Sequence, residues 1–450
     1  MTVLGPTPPY IPIGLSDYAR LREDGYTYVD KTSFVAEVLA GGATAMLVPR
    51  PRRFGKTLNI STLRYFVERN PAHDRTAIFD DTYVWTAEDG RYREHFQRYP
   101  VFAISLKDLL SDTWPSLFDG IRVTLQDEVN RLWDAYGLRQ TFAQNPLVLR
   151  RYEALLASDA SPATMSLALK LMVRWLHEAT GEPTVVIIDE YDAPLIAAHQ
   201  RGYFQEAIDF FRPFYSGGLK DGPYLYKAVL TGILRIAKES IFSGLNNFEV
   251  HSILGDRMVD AFGFTEDEVA ELLALTDRAA SAEAVRSWYN GYTFGRGRTL
   301  TIYNPWSILN FLSDPSGQPA AHWKNSSSND LVREQLLKRA ADVGPDVERL
   351  IRGEAIRKTI DDNVVMRDLD HDTDVVWSLL TFSGYLTSTE ANVSRGGFDC
   401  ALRVPNQEVL AVFEGTFSSW LNASAGYGAL ARLTRSMLTG DVREFEAELS

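Results

Sequence analysis

Apolar positions along the chain follow two kinds of spacing, and the pattern changes near residue 255. Before that point, short continuous apolar runs alternate with longer stretches in which apolar residues recur every three or four positions. The short runs, at residues 26–32, 43–48, 101–106, 185–189 and 226–233, predict strands buried on both faces. The longer stretches, at 33–39, 58–67, 117–136, 161–179 and 204–214, predict helices. In 117–136, for example, Leu117, Ile121, Leu125, Val129, Leu132 and Tyr136 share one face. Ser161-Pro162 supplies a cap and a first-turn residue, and Thr32 or Ser33 is expected to cap the helix at 33–39. Strands alternating with helices predict an α/β fold: a mainly parallel sheet with helices on both faces.

Beyond residue 255 helical spacing dominates, over 265–275, 305–312, 329–341, 375–382 and 406–421. Thr265-Glu266-Asp267-Glu268 reads as a capping box and Asn304-Pro305 as a second helix start. Strands at 384–390 and 398–404 flank the turn Ser394-Arg395-Gly396-Gly397. Helix, hairpin, helix is a winged-helix-like order within a mainly helical C-terminal region. The expected units are 1–255, 256–372 and 373–450. Residues 1–15, rich in Pro and Gly, read as an extended lead-in, and no internal repeat is visible.

With 450 residues, 45% of them hydrophobic, the chain can build two or three domains with real cores. Cys400 is the only cysteine, so no intrachain disulfide forms, and a reducing cytoplasm is the expected compartment. No basic start precedes an apolar core at residues 1–15, so no secretory leader is expected, and no apolar run approaches the ~18 residues of a membrane span. The formal net charge is −13, which repels nucleic acid overall and leaves DNA only a local basic patch.

The candidate chemistry sits at two strand ends. Residues 48–57, VPRPRRFGKT, follow a predicted strand and precede a predicted helix, the setting a phosphate-binding loop needs. Backbone N–H groups in such a loop point at phosphate oxygens, and the helix N-terminus adds partial positive charge. Lys56 would reach the β- and γ-phosphates, and Thr57 would place its hydroxyl on Mg²⁺. The strand at 185–189 ends in Asp189 and Glu190. Asp189 would hold the Mg²⁺ shell and Glu190 would polarise the attacking water. The combination predicts binding of a nucleoside triphosphate and its hydrolysis. The strict loop wants Gly five residues before Gly55, where Arg50 stands. Glycine there allows a tight turn with positive φ, which Arg adopts only with strain, and Pro51 would help fix a different shape. The basic patch of Arg50, Arg52, Arg53 and Lys56 is assigned to the nucleotide or to neighbouring carboxylates rather than to DNA.

These residues resemble the AAA-ATPase-like family of bacteria and archaea, a branch of the AAA+ P-loop ATPases. The matching segments are YVDKT at 28–32, PRRFGKTL at 51–58, VIIDEYDAPL at 186–195, LTGILR at 230–235, IFSGLNN at 241–247 and FGFTEDEV at 262–269. WYNGYTF at 288–294, YNPWS at 303–307, WKNS at 323–326, GYLT at 384–387 and VPNQEV at 404–409 continue the series in the family's order. Family members also carry Arg where the strict loop has its first Gly. The resemblance implies an AAA+-like P-loop domain over 1–255, a helical lid over 256–372 and a winged-helix-like region over 373–450. It implies ATP and Mg²⁺ as ligands, with Arg53, Phe54, Gly55, Lys56, Thr57 and Leu58 cradling the nucleotide. Thr231 falls where a polar sensor of the γ-phosphate would sit. Arg235 is either a sensor or finger for the transition-state charge or a surface ion pair. Asp192 is expected to cap the helix after its strand, and residues 288–292 to form a turn packed by aromatics.

Many relatives continue into a nuclease-like domain of the PD-(D/E)XK type, which needs Lys two positions after an acid. None of the ten lysines here stands so. A nuclease is therefore expected only beyond residue 450 or on a partner, where DNA would be the target, and a truncated sequence is the favoured explanation. AAA+ relatives often assemble into rings, so a homo-oligomer is open. The seven histidines form no H-x-x-x-H pair, which with one Cys argues against zinc. No G-x-S-x-G elbow occurs, and Gly295-Arg296-Gly297 is a turn. Two other readings stay in view: a non-hydrolysing, nucleotide-bound scaffold or sensor, and a nucleic-acid-binding module working through the hairpin at 382–404 with Arg395 and Arg403.

Overall fold

The computed structural model describes residues 3–6, 9–70, 72–220, 222–236, 241–242, 248–325, 330–362 and 374–424. The chain opens on β1 (Val3–Leu4), paired antiparallel with β2 (Tyr28–Val29). Five strands then build the main sheet: β3 (Ala45–Pro49), β4 (Val101–Ser105), β5 (Thr184–Asp189), β6 (Leu225–Gly232) and β7 (Phe248–Val250). Their order is β4-β5-β6-β3-β7 and every pairing is parallel. β3 and β5 are buried along their whole length, as expected of strands covered on both faces. Helices flank the sheet: Trp114–Ala135 lies against β4, and Ala168–Thr180 against both β4 and β5.

The sheet order positions the site. β6 lies between β3 and β5, with Val48 opposite Thr231 and Pro49 opposite Gly232, while Ile188 faces Leu230. The ends of three strands that carry candidate residues therefore emerge side by side.

Beyond the sheet the chain is mainly helical. Glu266–Leu275 starts with the expected capping box: Thr265 Oγ1 accepts from Glu268 N, and the Glu268 carboxylate accepts from Thr265 N. A short hairpin, β8 (Tyr292–Phe294) and β9 (Leu300–Ile302), leads into the helix Pro305–Ser313, capped by Asn304. Residues of this stretch, among them Phe264, Leu272, Val285, Tyr303, Ile308 and Phe311, form a small core of their own. Further on, β10 (Ile356–Ile360), β11 (Thr387–Ser394) and β12 (Gly397–Arg403) form an antiparallel sheet in the order β10-β12-β11, with the helix Asp374–Ser383 against β10 and the helix Gln407–Ser424 following β12 in the chain. Trp377, Ile356 and Leu402 from this part join the same core as the parallel sheet.

Several expectations shift. The helix at 161–179 divides into Pro162–Met165, capped by Ser161, and Ala168–Thr180. The helix Ser33–Ala40 has no side-chain cap, because the Thr32 hydroxyl accepts instead from Val84 N at 3.0 Å. The strand foreseen at 384–390 begins only at Thr387. Residues 384–386 close the preceding helix, with Tyr385 N donating to Leu380 O at 2.8 Å. Residues 243–247 of one family segment, Ser326 of another and residues 425–450 of the expected unit 373–450 lie outside the described residues.

Candidate functional site

The loop after β3 obeys the turn chemistry of a strand-to-helix corner. Gly55 is the N-cap of the helix Lys56–Val67 at φ +84, a left-handed conformation that only glycine adopts without strain. No side chain caps this helix, so its first N–H groups remain for an anion. Arg53, two residues earlier, is also left-handed at φ +68.

Arg50 resolves the departure from the strict loop. Its backbone is not left-handed, so the strain feared for that position falls on Arg53 instead. Its side chain, 1% exposed, does not line the cavity and is taken up by backbone carbonyls. One guanidinium nitrogen donates to Pro49 O at 2.9 Å and His251 O at 2.5 Å, and another to Met258 O at 2.9 Å. The guanidinium also lies 4.9 Å from the ring centroid of Phe262. Burial lowers its pKa to about 9. Arg50 is a buttress that ties the root of the loop to the chain following β7.

The two sequence motifs meet. Thr57 Oγ1 donates to Asp189 Oδ2 at 2.8 Å, across 132 residues of sequence. The Thr231 hydroxyl donates to the other carboxylate oxygen. Lys56, 5% exposed, donates to Arg50 O and Pro51 O at 3.1 Å each. Burial pulls its pKa down, and Glu190, Asp189 and Asp192 pull it back up. Glu190, just after the strand, is left-handed at φ +51 and lines the same cavity as Lys56 and Thr57.

Asp192 corrects an expectation. It stands at the start of the helix Ala193–Gln200 but does not cap it with its side chain. Its carboxylate accepts from Ile233 N and Leu234 N, both at 2.8 Å, and burial pushes its pKa up to about 6. It thereby fixes the turn after β6. Gly232 is required there, since a Cβ would collide with the Asp192 carboxylate.

Arg53, Phe54, Gly55, Lys56, Thr57, Leu58 and Glu190 line a cavity of about 580 Å³. Pro12, Leu15, Leu21, Val29 and Phe264 add apolar surface to its lining. Pro305, Trp306 and Leu309 of the capped helix close one side. Lys31 lines it too, held by Glu268 at 2.7 Å to both carboxylate oxygens and by Asp260 O at 2.9 Å. This buried pair joins two of the family-like segments, a link that sequence reading missed. Arg235 is not among the lining residues; it pairs with Asp362 at 2.8 Å.

The donor set fits a triphosphate with Mg²⁺. A hydroxyl and a carboxylate oxygen lie side by side, next to a buried lysine and uncapped helix N–H groups. Among the described residues no cluster of three or more His, Cys, Asp or Glu could hold a metal.

Comparison with known proteins agrees with this architecture. A family described as predicted AAA-ATPase matches residues 12–242, more than half of the chain, and the chain belongs to this AAA-ATPase-like family. It is also similar to a protein of Azotobacter chroococcum mcd 1 described as "Uncharacterized protein in vnfD 5'region". The two are 28% identical over 403 residues, which is 89% of this chain and 68% of that protein. Among the described residues no helix is long and apolar enough to cross a membrane.

Proposed function

We propose that the chain binds ATP with Mg²⁺, hydrolyses it, and acts as a nucleotide-dependent switch. The observation that carries this reading is the convergence of Lys56 and Thr57 with Asp189 and Glu190 from a strand 132 residues away. Lys56 binds the β- and γ-phosphate charge, and the N–H groups from Arg53 to Leu58 cradle the phosphates. Thr57 and Asp189 hold the metal, which when bound neutralises charge on the phosphates. Glu190 accepts the proton of the attacking water, and Thr231, bonded to Asp189, senses the terminal phosphate. Arg235 reaches the reacting phosphate only after its pair with Asp362 opens. The apolar part of the cavity lining takes the base.

The moving part in this reading is the C-terminal region, whose geometry the nucleotide state switches. Its output is control of a nuclease-like module acting on DNA, carried by further chain or by a partner. The test is phosphate release beside nucleotide binding in two variants. Lys56→Ala should abolish binding. Glu190→Gln should keep binding and slow turnover by about 100-fold or more. Normal turnover in Glu190→Gln would remove Glu190 from its role.

A further inference from the structure

Arg53 is held in a way the nucleotide reading alone does not explain. Its guanidinium carbon lies 4.0 Å from the ring centroid of Trp306, the second residue of the helix Pro305–Ser313. Both residues line the cavity beside Lys56, Thr57 and Glu190. Trp306 is itself placed from several sides. Asn304 Oδ1 accepts from Trp306 N at 2.9 Å, and the indole N–H donates to His322 O at 3.4 Å. The next residue, Ser307, donates to the buried Glu408 carboxylate at 2.6 Å, which pins the helix from its other side. On the loop side, the left-handed backbone of Arg53 is a strained conformation for a residue with a side chain.

Stacking occupies the flat face of a guanidinium and leaves its N–H edge for hydrogen bonds. That edge is the part that recognises phosphate bidentately. We infer that Trp306 is a positioning residue: its indole holds Arg53 so that the N–H edge meets the terminal phosphate of a bound triphosphate. Seating of the helix Pro305–Ser313 and engagement of the terminal phosphate are then one event. The inference rests on the nucleotide reading above and adds to it a residue that discriminates triphosphate from diphosphate.

The experiment is equilibrium binding of ATP and ADP to the full chain and its Trp306→Ala, Trp306→Phe, Arg53→Ala and doubly substituted Trp306→Ala/Arg53→Ala forms. Melting without nucleotide serves as the folding control. Trp306→Ala and Arg53→Ala should each weaken ATP by about 3- to 10-fold and leave ADP nearly unchanged. The double variant should be no weaker than Arg53→Ala alone, because the two residues act through one contact. Trp306→Phe should retain most of the ATP preference. If Trp306→Ala unfolds, Trp306→Phe and Arg53→Ala carry the test. A wild-type ATP-to-ADP ratio in folded Trp306→Ala or Arg53→Ala, or losses that multiply in the double variant, would overturn the inference. Lys56→Ala separates the two levels. If it binds ATP like the wild type, the nucleotide reading itself fails. If it loses ATP while the Trp306 variants match the wild type, only the role of Trp306 fails.

Discussion

The carboxyl end of the parallel sheet and the antiparallel sheet β10-β12-β11 treat polar side chains in opposite ways. At the parallel sheet's end, Asp189, Asp192, Thr231 and Lys56 are all buried and hydrogen-bonded within the protein. On the antiparallel sheet, Arg357 pairs with Glu390 and Asp399 in the open, all three about half exposed. Burying polar groups costs free energy unless each finds a partner. A chain that holds four such residues at adjoining strand ends has concentrated its chemistry there. The exposed pairs of the antiparallel sheet face water and gain little from one another.

Breaking that contrast should have graded effects. Arg50→Ala should be the most damaging to stability, because it strands three buried carbonyls at the loop's root. A loss of about 3 kcal/mol is expected in denaturant unfolding. Arg50→Gly should be damaged similarly, although it restores the strict loop. An unchanged midpoint for both would show that the buttress contributes nothing.

Glu408 is the exception that sharpens the comparison, a buried carboxylate on the helix Gln407–Ser424 rather than at the end of the parallel sheet. It accepts from Ser307 Oγ at 2.6 Å and Trp323 N at 2.8 Å, and burial pushes its pKa from the ordinary 4.5 up to about 7. Between those values the folded chain keeps a proton that the unfolded chain has released. Its contribution to stability therefore falls as pH rises from about 4.5 to about 7. Glu408→Gln should flatten this part of the profile, which urea melts across pH would reveal. A profile identical to the wild type would exclude Glu408 as its source. The smallest effect belongs to Arg357→Ala. Its surface pairs should cost less than about 0.5 kcal/mol in the same melts. A larger loss would mean the antiparallel sheet depends on them.

Much of this was legible before the structure. Apolar runs marked β3 to β6, because strands buried on both faces need no alternation. Local rules found the capping box at Thr265 and Glu268 and the caps at Asn304 and Ser161. The meeting of Thr57 and Asp189 followed from motif chemistry. What stayed hidden was set by tertiary packing. Lys31 and Glu268 stand 237 residues apart, and neither carries a local signal of the other. Arg50 looked like a defect because a motif records position and not where a side chain turns. Asp192 sits where a cap belongs, yet two N–H groups of the turn after β6 take its carboxylate. β10, IRKTI, escaped because only its end residues are buried, which leaves little apolar pattern to read. The helix Pro146–Leu156 was overlooked although Asn145-Pro146 offers a cap and a first-turn residue.

The central claim, that the buried polar end of the parallel sheet is a working phosphate site, is tested most directly by phosphate release from ATP with Mg²⁺. The wild type would be run beside Lys56→Ala, with and without DNA. The account predicts turnover in the wild type that Lys56→Ala abolishes, and any stimulation by DNA would identify the target of the switch. Phosphate release unchanged by Lys56→Ala, or none from a wild type that binds ATP, would contradict it.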